Sequence, residues 1–234
     1  MKKRAVALMM TLLLLAALAA VALADSEGVI VGSSCNIVQS GEYYLVYCYA
    51  QVHNNSNEII CLESGSFELH SGEQILASQP VTQLWPYFIN PGEDGYVFDV
   101  VAFEPGESGA VVPSVTDILY DIQYMTVDPQ YASRDLSAMA ELERTEEGGL
   151  RVICHITNGT DTDAYAPTIA FGLYAGNGGM LYAGGTTLQD VGIPAGGTVL
   201  LRFPVDEDLV AQWDTYGMSA AEARVSAAFR NDED

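Results

Sequence analysis

The chain has 234 residues, of which 49% are hydrophobic, and it carries 31 acidic against nine basic residues, a formal charge of −22. Basic side chains supply the contacts that hold nucleic acid phosphates and anionic lipid head groups, and this composition lacks them. We therefore expect no nucleic-acid partner.

The first 24 residues have the pattern of a secretory signal peptide. Three basic residues at positions 2–4 precede an apolar run over residues 5–21, and Ala22-Leu23-Ala24 forms a small-residue cleavage site. We predict cleavage after Ala24 and a secreted or cell-envelope protein with no transmembrane segment in its mature chain; retention as an uncleaved anchor is the alternative. Loss of the three basic residues leaves six arginines and no lysine, so the mature charge is 6 − 31 = −25.

The stretch "CNIVQSGEYYLVYC" predicts a β-hairpin that turns near Gly41. Apolar and polar residues alternate on its second arm, which is the period of a strand with one buried face. In such a hairpin Cys35 and Cys48 lie opposite one another, and disulfides are permitted in exported proteins. Cys35 and Cys48 are therefore the predicted disulfide pair.

The second arm of this hairpin also carries a row of tyrosines, here called the tyrosine ladder: Tyr43, Leu45, Tyr47 and Tyr49. If Cys48 and its apolar neighbours face the core, the ladder lies on the opposite face. Tyrosine buries a large area while keeping a polar tip, which suits a partner-binding surface. The alternative is that a neighbouring strand or the second domain covers this face.

An internal repeat with an offset of 104 residues organises the rest of the chain. The matching pairs are Asn54 and Asn158, Phe67 and Phe171, Leu69 and Leu173, Gly72 and Gly176, Ile89 and Ile193, and Gly92 and Gly196. In both copies a strand ends at asparagine, a second strand carries the phenylalanine and leucine, and glycine marks the turns. These matches predict a tandem duplication.

The expected fold is all-β, with two tandem immunoglobulin-like antiparallel β-sandwiches at residues 25–130 and 131–234. Each copy has about seven short strand patterns separated by turn signals, which is typical of a sandwich. The segment "VDPQYASRD" interrupts the pattern and marks the boundary. One short helix is predicted at "DEDLVAQWDTYG" in the second domain, with Trp213 packed inward and Gly217 at its end.

The run "FGLYAG" and its surroundings resemble the FxLYD-type domain and its immunoglobulin-like relatives in exported and envelope-associated bacterial proteins. In the second copy Phe171, Leu173 and Tyr174 stand at the motif positions, with Ala175 in place of the usual aspartate. The first copy keeps only Phe67 and Leu69. The resemblance implies a binding or spacer module and no catalytic residues.

The residues that can support chemistry are few. Glu68 and His70 could form a metal or acid–base pair, but two residues do not complete a site, and a solvated strand face is the alternative. Cys154 alternates with apolar neighbours and is interpreted as a small buried residue. Asn158, Asp161 and Asp163 form a candidate weak calcium loop, with a solvated turn as the alternative. We expect no other cofactor.

These patterns predict a non-catalytic binding or spacer protein that acts on an envelope or extracellular protein partner. The alternative is a carbohydrate-binding accessory module for cell-wall glycan. The predicted protein-binding face is the tyrosine ladder, with the turn at residues 158–163 second. In the carbohydrate alternative Trp85 and Tyr87 of "QLWPYF" are the candidate stacking residues.

Overall fold

Antiparallel sheets form almost the whole of the described chain. The computed structural model describes residues 28–104, 114–131 and 133–230, and the predicted signal peptide lies outside them. Every strand pairing is antiparallel, and the described residues contain one α-helix, of nine residues. The predicted all-β class is confirmed.

The described residues up to 127, here called the first half, contain eight strands: β1 Gly28–Ser40, β2 Tyr43–Asn54, β3 Ile59–Ser71, β4 Gln74–Pro80, β5 Leu84–Trp85, β6 Phe88–Ile89, β7 Asp94–Phe103 and β8 Asp117–Val127. One sheet has the order β1-β2-β7-β5. In the other sheet β3 is central, with β8 on one side and β4 and β6 on the other.

After a 3₁₀ turn at Pro129–Tyr131, the second half (residues 133–230) contains these elements: β9 Ser133–Asp135, β10 Ser137–Arg144, β11 Leu150–Thr157, β12 Ala164–Tyr165, β13 Thr168–Ala175, β14 Met180–Thr187, β15 Gly192–Ile193, β16 Thr198–Pro204, α1 Glu207–Thr215 and β17 Ala220–Arg230. Its main sheets have the orders β10-β11-β16 and β14-β13-β17-β9, and β12 pairs with β15. The two halves therefore share one sheet plan, although the number of immunoglobulin-like domains stays a prediction.

The predicted hairpin and helix are both present. Gly41 has a φ of 61° between β1 and β2, a left-handed conformation that favours glycine. Helix α1 begins after Asp206, whose side chain accepts a hydrogen bond from the Asp208 backbone N–H, and Gly217 follows its end with a φ of 66°. Trp213 is 1% exposed and faces the core, as the sequence predicted.

Each half has its own hydrophobic core. The core of the first half is built by the inward residues of β2, β3 and β7, with Phe67 and Leu69 fully buried. The core of the second half is built by β11, β13 and β17, and helix α1 closes it with Trp213. Cys154 is fully buried in that core, which confirms it as a small buried residue.

The 104-residue repeat extends to individual hydrogen bonds. The Asn54 amide nitrogen donates to the carbonyl oxygens of Glu58 and Ile89, both at 2.8 Å, and its Oδ1 accepts from the backbone and hydroxyl of Ser56. The same four bonds recur, each 104 residues later, at Asn158, Thr162, Ile193 and Thr160. Both asparagines are fully buried, so each one satisfies a turn that would otherwise bury unpaired backbone groups.

Two features distinguish the halves. Gly72 has a φ of 59° in the β3–β4 turn, whereas in the β13–β14 turn the left-handed glycine is Gly178 and not its predicted counterpart Gly176. Strand β9, which falls in the predicted boundary segment, pairs with the end of β17.

In the described part of the chain no helix has the length and apolar composition needed to cross a membrane.

Candidate ligand cleft at the junction of the halves

The tyrosine ladder lies against the second half, so its role as an exposed binding face is wrong for most of its length. Tyr49 is 0% exposed, and its ring centroid lies 5.1 Å from that of Tyr182. Tyr47 is half-buried and packs against the second core and the junction. Only Tyr43, at the start of β2, is well exposed, at 43%. These contacts agree with the alternative prediction, in which the second half of the chain covers this face.

Hydrogen bonds also join the halves. The Tyr174 hydroxyl donates to Gln51 Oε1 at 2.8 Å and lies 3.3 Å from the Tyr96 hydroxyl. Burial raises the pKa of Tyr174 and of Tyr96, which keeps both phenols protonated. Tyr174 is one of the FxLYD-like positions, and its hydroxyl here bridges the two halves.

A second set of bonds ties β1 to the other half. The Asn36 side chain donates to the Leu181 carbonyl oxygen at 2.6 Å and accepts from Trp213 Nε1 at 2.9 Å. Gln212 of α1 donates to the Ile37 carbonyl oxygen at 2.6 Å. These are buried or half-buried polar pairs, so the junction is specified by geometry as well as by apolar area.

Two glycines allow the halves to approach closely. A Cβ at Gly172 would lie 2.7 Å from the Tyr96 ring, and a Cβ at Gly185 would lie 2.3 Å from the Trp85 ring. Trp85 is half-buried and also packs on Phe98, with centroids 5.6 Å apart. Trp85 is therefore part of the junction, and the prediction that it offers a free stacking surface for a sugar is wrong.

A cleft of about 480 Å³ opens beside this junction. One wall consists of residues from β3, from the loop before β5 and from the β5–β6 segment. The opposite wall consists of residues from β13, β14 and β17 together with Ala166, which precedes Pro167. The lining residues are Cys61, Leu62, Thr82, Leu84, Pro86, Tyr87, Phe88, Ala166, Thr168, Thr187, Ala228, Phe229 and Arg230. The volume and the mainly apolar lining are typical of a ligand site between two structural units.

Tyr87 is the exposed aromatic residue of the cleft. It is 60% exposed, in contrast to its neighbour Trp85. The Arg230 guanidinium lies 5.6 Å from the centroid of the Phe88 ring, which places a cation beside an aromatic face. Of the two residues that the sequence offered as stacking candidates, only Tyr87 lies at an open surface.

The polar groups of the cleft are few and mostly hydroxyls. Thr168 and Thr187 bring their hydroxyls to 3.4 Å, and the Thr82 hydroxyl donates to Asp99. Burial raises the pKa of the Cys61 thiol, and nearby Glu63 raises it further, so this thiol is not activated as a nucleophile. Among the described residues the lining contains no histidine or carboxylate, so these residues offer no acid–base pair.

Cys35 and Cys48 lie directly opposite each other across β1 and β2, as the hairpin predicted. Both thiols are free in the structure. Burial raises the pKa of Cys35 to about 11 and also raises that of Cys48, where Cys35 and Asp99 add to the shift. The register that a disulfide needs is present, and the disulfide itself stays a prediction.

Two of the three residues in the candidate calcium loop, Asn158 and Asp163, already form hydrogen bonds within the fold. Asn158 Oδ1 already accepts two hydrogen bonds from Thr160, and its amide nitrogen donates to two carbonyls. Asp163 Oδ1 accepts a bond from the Ala195 backbone N–H at 3.0 Å. The prediction of Asn158 as a cation ligand is therefore wrong, and within the described residues no cluster of three His, Cys, Asp or Glu side chains could hold a metal ion.

Two of the three histidines form pairs with acids. His70 Nε2 lies 3.0 Å from Glu68 Oε2, as its strand position suggested, and His53 Nδ1 lies 2.8 Å from Asp94 Oδ1. Neither pair lines the cleft. They are partly exposed pairs on strand faces.

The sequence analysis predicted Tyr87 as a stacking residue but did not identify the residues of the opposite wall of the cleft. Thr168, Thr187 and Phe229 are 81 to 142 residues from Tyr87 along the chain, and only the packing of the halves brings them together. The small residues Gly184-Gly185 in β14 were the signal available, because paired glycines inside a strand indicate a close approach by another group.

No protein-family model matches this chain, and the search of curated proteins found no match for it.

Proposed function

We propose that this protein is a non-catalytic binding module of the cell exterior, and that it holds an apolar segment of a partner protein in the cleft at the junction of its halves. The observation that carries the proposal is the cleft itself, a volume of about 480 Å³ with one strongly exposed aromatic residue at its surface. Export rests on the signal-peptide pattern of residues 1–24.

The chemistry of the lining favours binding over catalysis. Apolar side chains dominate the cleft, and its one thiol has a raised pKa. An acyl-transfer or hydrolytic site needs a nucleophile with a base within hydrogen-bond reach. The lining has no such pair, so it suits the burial of a partner's side chain.

A protein partner fits the lining better than a glycan. Sugar hydroxyls are usually bound by carboxylates and amides together with an aromatic ring, and this lining provides threonine hydroxyls and one arginine. The strongly acidic chain would also favour a partner segment with basic flanks. Tyr87 is the feature that keeps a glycan as the second candidate, because an exposed ring beside hydroxyls can stack on a sugar face.

The backbone of the cleft wall supports a functional role. Ala166 has a φ of 44°, a region that L-residues other than glycine adopt at a cost, and it lines the cleft just before Pro167. Such strain is concentrated at ligand sites, where the surrounding structure holds it.

The test is retention of labelled mature protein on intact cells of the source species, on protease-shaved cells and on purified wall glycan. Three proteins are compared: the wild type, Tyr87→Ala and the control Tyr216→Ala. Tyr216 is 38% exposed at the end of α1 and does not line the cleft. A central aromatic contact is worth about 1–3 kcal/mol, so Tyr87→Ala is expected to weaken retention about tenfold or more.

Retention that shaving abolishes, and that falls for Tyr87→Ala but not for Tyr216→Ala, supports a protein partner in the cleft. Retention that survives shaving, reaches pure glycan and depends on Tyr87 would transfer the proposal to carbohydrate. Retention that is equal for Tyr87→Ala and the wild type would remove the cleft as the binding site.

A further inference from the structure

Strand β8 forms a long edge of its sheet. It pairs with β3 from Asp117 to Val127, and among the described residues no strand pairs with its other side. Alternate backbone N–H and C=O groups of such a strand point outward, where they form a template for another strand.

The second half treats the equivalent edge differently. Strand β17 pairs with β13 on one side, and β9 covers Ala228–Arg230 on the other side. In the first half β1 pairs with β2 along its whole length, and its start packs against Tyr124 of β8 without pairing with that strand, since a Cβ at Gly28 would lie 2.9 Å from the Tyr124 ring. Within the described residues the outer edge of β8 therefore has no pairing strand, whereas that of β17 is partly paired.

Strand β8 has little of the usual protection of an exposed edge, and Asp121 is its one exposed charged side chain. Its sequence, "DILYDIQYMTV", contains no proline, lysine or arginine, and the register shift in this pairing leaves an extra residue on β3, between Leu62 and Ser64. Proteins normally protect edges with prolines, inward charges, bulges or short strands. An open edge of 11 residues without these features suits pairing with another strand.

We propose that β8 pairs with β8 of a second copy of this chain, antiparallel, about a two-fold axis at Ile122. Opposed residues in an antiparallel pair point to the same side of the sheet, so the axis must pass through a residue and not between two. With 11 residues in each strand, only an axis at the sixth residue, Ile122, overlaps both strands completely. The two sheets then join into one.

The side chains are complementary in this register. On the outer face Leu119, 51% exposed, lies opposite Met125 of the second copy, which is 45% exposed. Asp121 lies opposite Gln123, so no two acids meet. An axis at Asp121 would place that carboxylate opposite its own copy, which costs energy. Full overlap, apolar pairing and separation of charge therefore select the same register.

Electrostatics makes a distinctive prediction for this dimer. Two copies of a chain with a strongly negative net charge repel each other, and salt screens that repulsion over a distance of about 10 Å at 0.1 M. Backbone pairing and the Leu119–Met125 contacts depend much less on salt. Association is expected to strengthen as the salt concentration rises.

Sedimentation velocity of the mature protein, over about a hundredfold range of protein concentration at low and high salt, tests the proposal. The wild type is expected to dimerise at high salt, and the double variant Leu119→Asp with Met125→Asp is expected to stay monomeric. The control is Val100→Asp with Leu200→Asp, which adds the same charge at exposed positions of β7 and β16; it is expected to dimerise. A wild type that is monomeric throughout, or a dimer that the β8 variant leaves unchanged, overturns the proposal.

Cross-linking checks the register independently of whether the charged variant folds. In a Cys61→Ser background, Asp121→Cys with Gln123→Cys places thiols opposite one another and is expected to give a covalent dimer on mild oxidation. Asp121→Cys alone is expected to give none, because its own copy lies on the diagonal at about 7–8 Å. A covalent dimer from the single variant and none from the double variant contradicts the two-fold register at Ile122.

Discussion

The two halves have the same sheet plan and the same buried asparagine network, but they complete their cores differently. Across β2 and β7 the first half pairs Cys48 with Asp99, and at the positions 104 residues later the second half pairs Val152 with Phe203. Phe203 stacks on Phe171, with centroids 5.0 Å apart. At this position the second core is therefore more apolar, whereas the asparagine turns and the buried phenylalanines Phe67 and Phe171 are the same in both halves.

The difference extends to how each half is closed. Helix α1 covers the second core with Trp213, and β9 covers part of the β17 edge. In the first half the hydroxyls of Tyr120 and Tyr124 are buried without a hydrogen-bond partner, and no described strand pairs with the outer edge of β8. Buried polar groups without partners cost stability, so we expect the first half to be the less stable of the two.

The largest expected effect comes from breaking the feature that the halves share. Asn54→Ala and Asn158→Ala each remove four hydrogen bonds at a fully buried turn, and the buried carbonyls of Ile89 and Ile193 each lose a donor. Each is expected to lower the free energy of unfolding by about 3 kcal/mol, since an unsatisfied buried group costs about 1–3 kcal/mol. Urea denaturation of both variants measures this cost.

Asn177→Ala is the matched control, because Asn177 bonds only its own exposed turn at Gly179. Its cost is expected to stay below about 1 kcal/mol. Similar losses for Asn54→Ala and Asn158→Ala are expected despite the different cores, and a loss confined to one half would contradict the equivalence of the turns.

A smaller effect is expected at the junction that joins the halves. Gly172→Ala places a methyl group 2.7 Å from the Tyr96 ring and 2.8 Å from the Tyr174 hydroxyl. Overpacking of this kind costs about 1–3 kcal/mol, and the Tyr174–Gln51 hydrogen bond is expected to weaken with it. Thermal unfolding of the variant, compared with the wild type, measures the loss.

Gly32→Ala provides the control for that substitution. A Cβ at Gly32, also within a strand, meets no atom within 4 Å, so its melting temperature is expected to change little. Equal melting temperatures for Gly172→Ala and Gly32→Ala would mean that the junction is looser than the contact between Tyr96 and Gly172 implies.

The smallest effect concerns the Asp99 carboxyl group, which accepts hydrogen bonds from Thr82 in the first half. Burial raises the pKa of Asp99, while its bonds from Thr82 partly offset the shift. A carboxyl whose folded pKa is raised is stabilising below its unfolded pKa, and this contribution is lost as the pH rises through the folded pKa. Asp99→Asn does not titrate, so its stability relative to the wild type is expected to improve from pH 3 to pH 7.

Urea denaturation of both proteins across that pH range checks the sign. The matched control is Asp121→Asn, which removes the exposed carboxylate of β8 instead of a buried one. A relative stability of Asp99→Asn that falls as the pH rises would mean that the carboxylate is stabilised by its surroundings.

Local patterns predicted much of the fold because their causes are local. The alternation around Cys48 gave β2 its buried face, Gly41 and Gly92 marked turns that need a left-handed backbone, and Asp206 and Gly217 bounded the helix. The exposure of the tyrosine ladder could not be predicted in the same way. Alternation shows that Tyr47 and Tyr49 share a face, but not whether water or another sheet covers it.

The all-β class, the repeat and the placement of its asparagines could be predicted from the sequence, because strand period, turn conformation and side-chain hydrogen bonding act over a few residues. The packing of the two halves is what buries Tyr49 and Trp85 in the junction, leaves Tyr87 at an open cleft and leaves β8 without a second pairing strand among the described residues. Those outcomes depend on how two distant surfaces fit each other, and the fit is set by close contacts such as those at Gly172 and Gly185 that no local pattern contains.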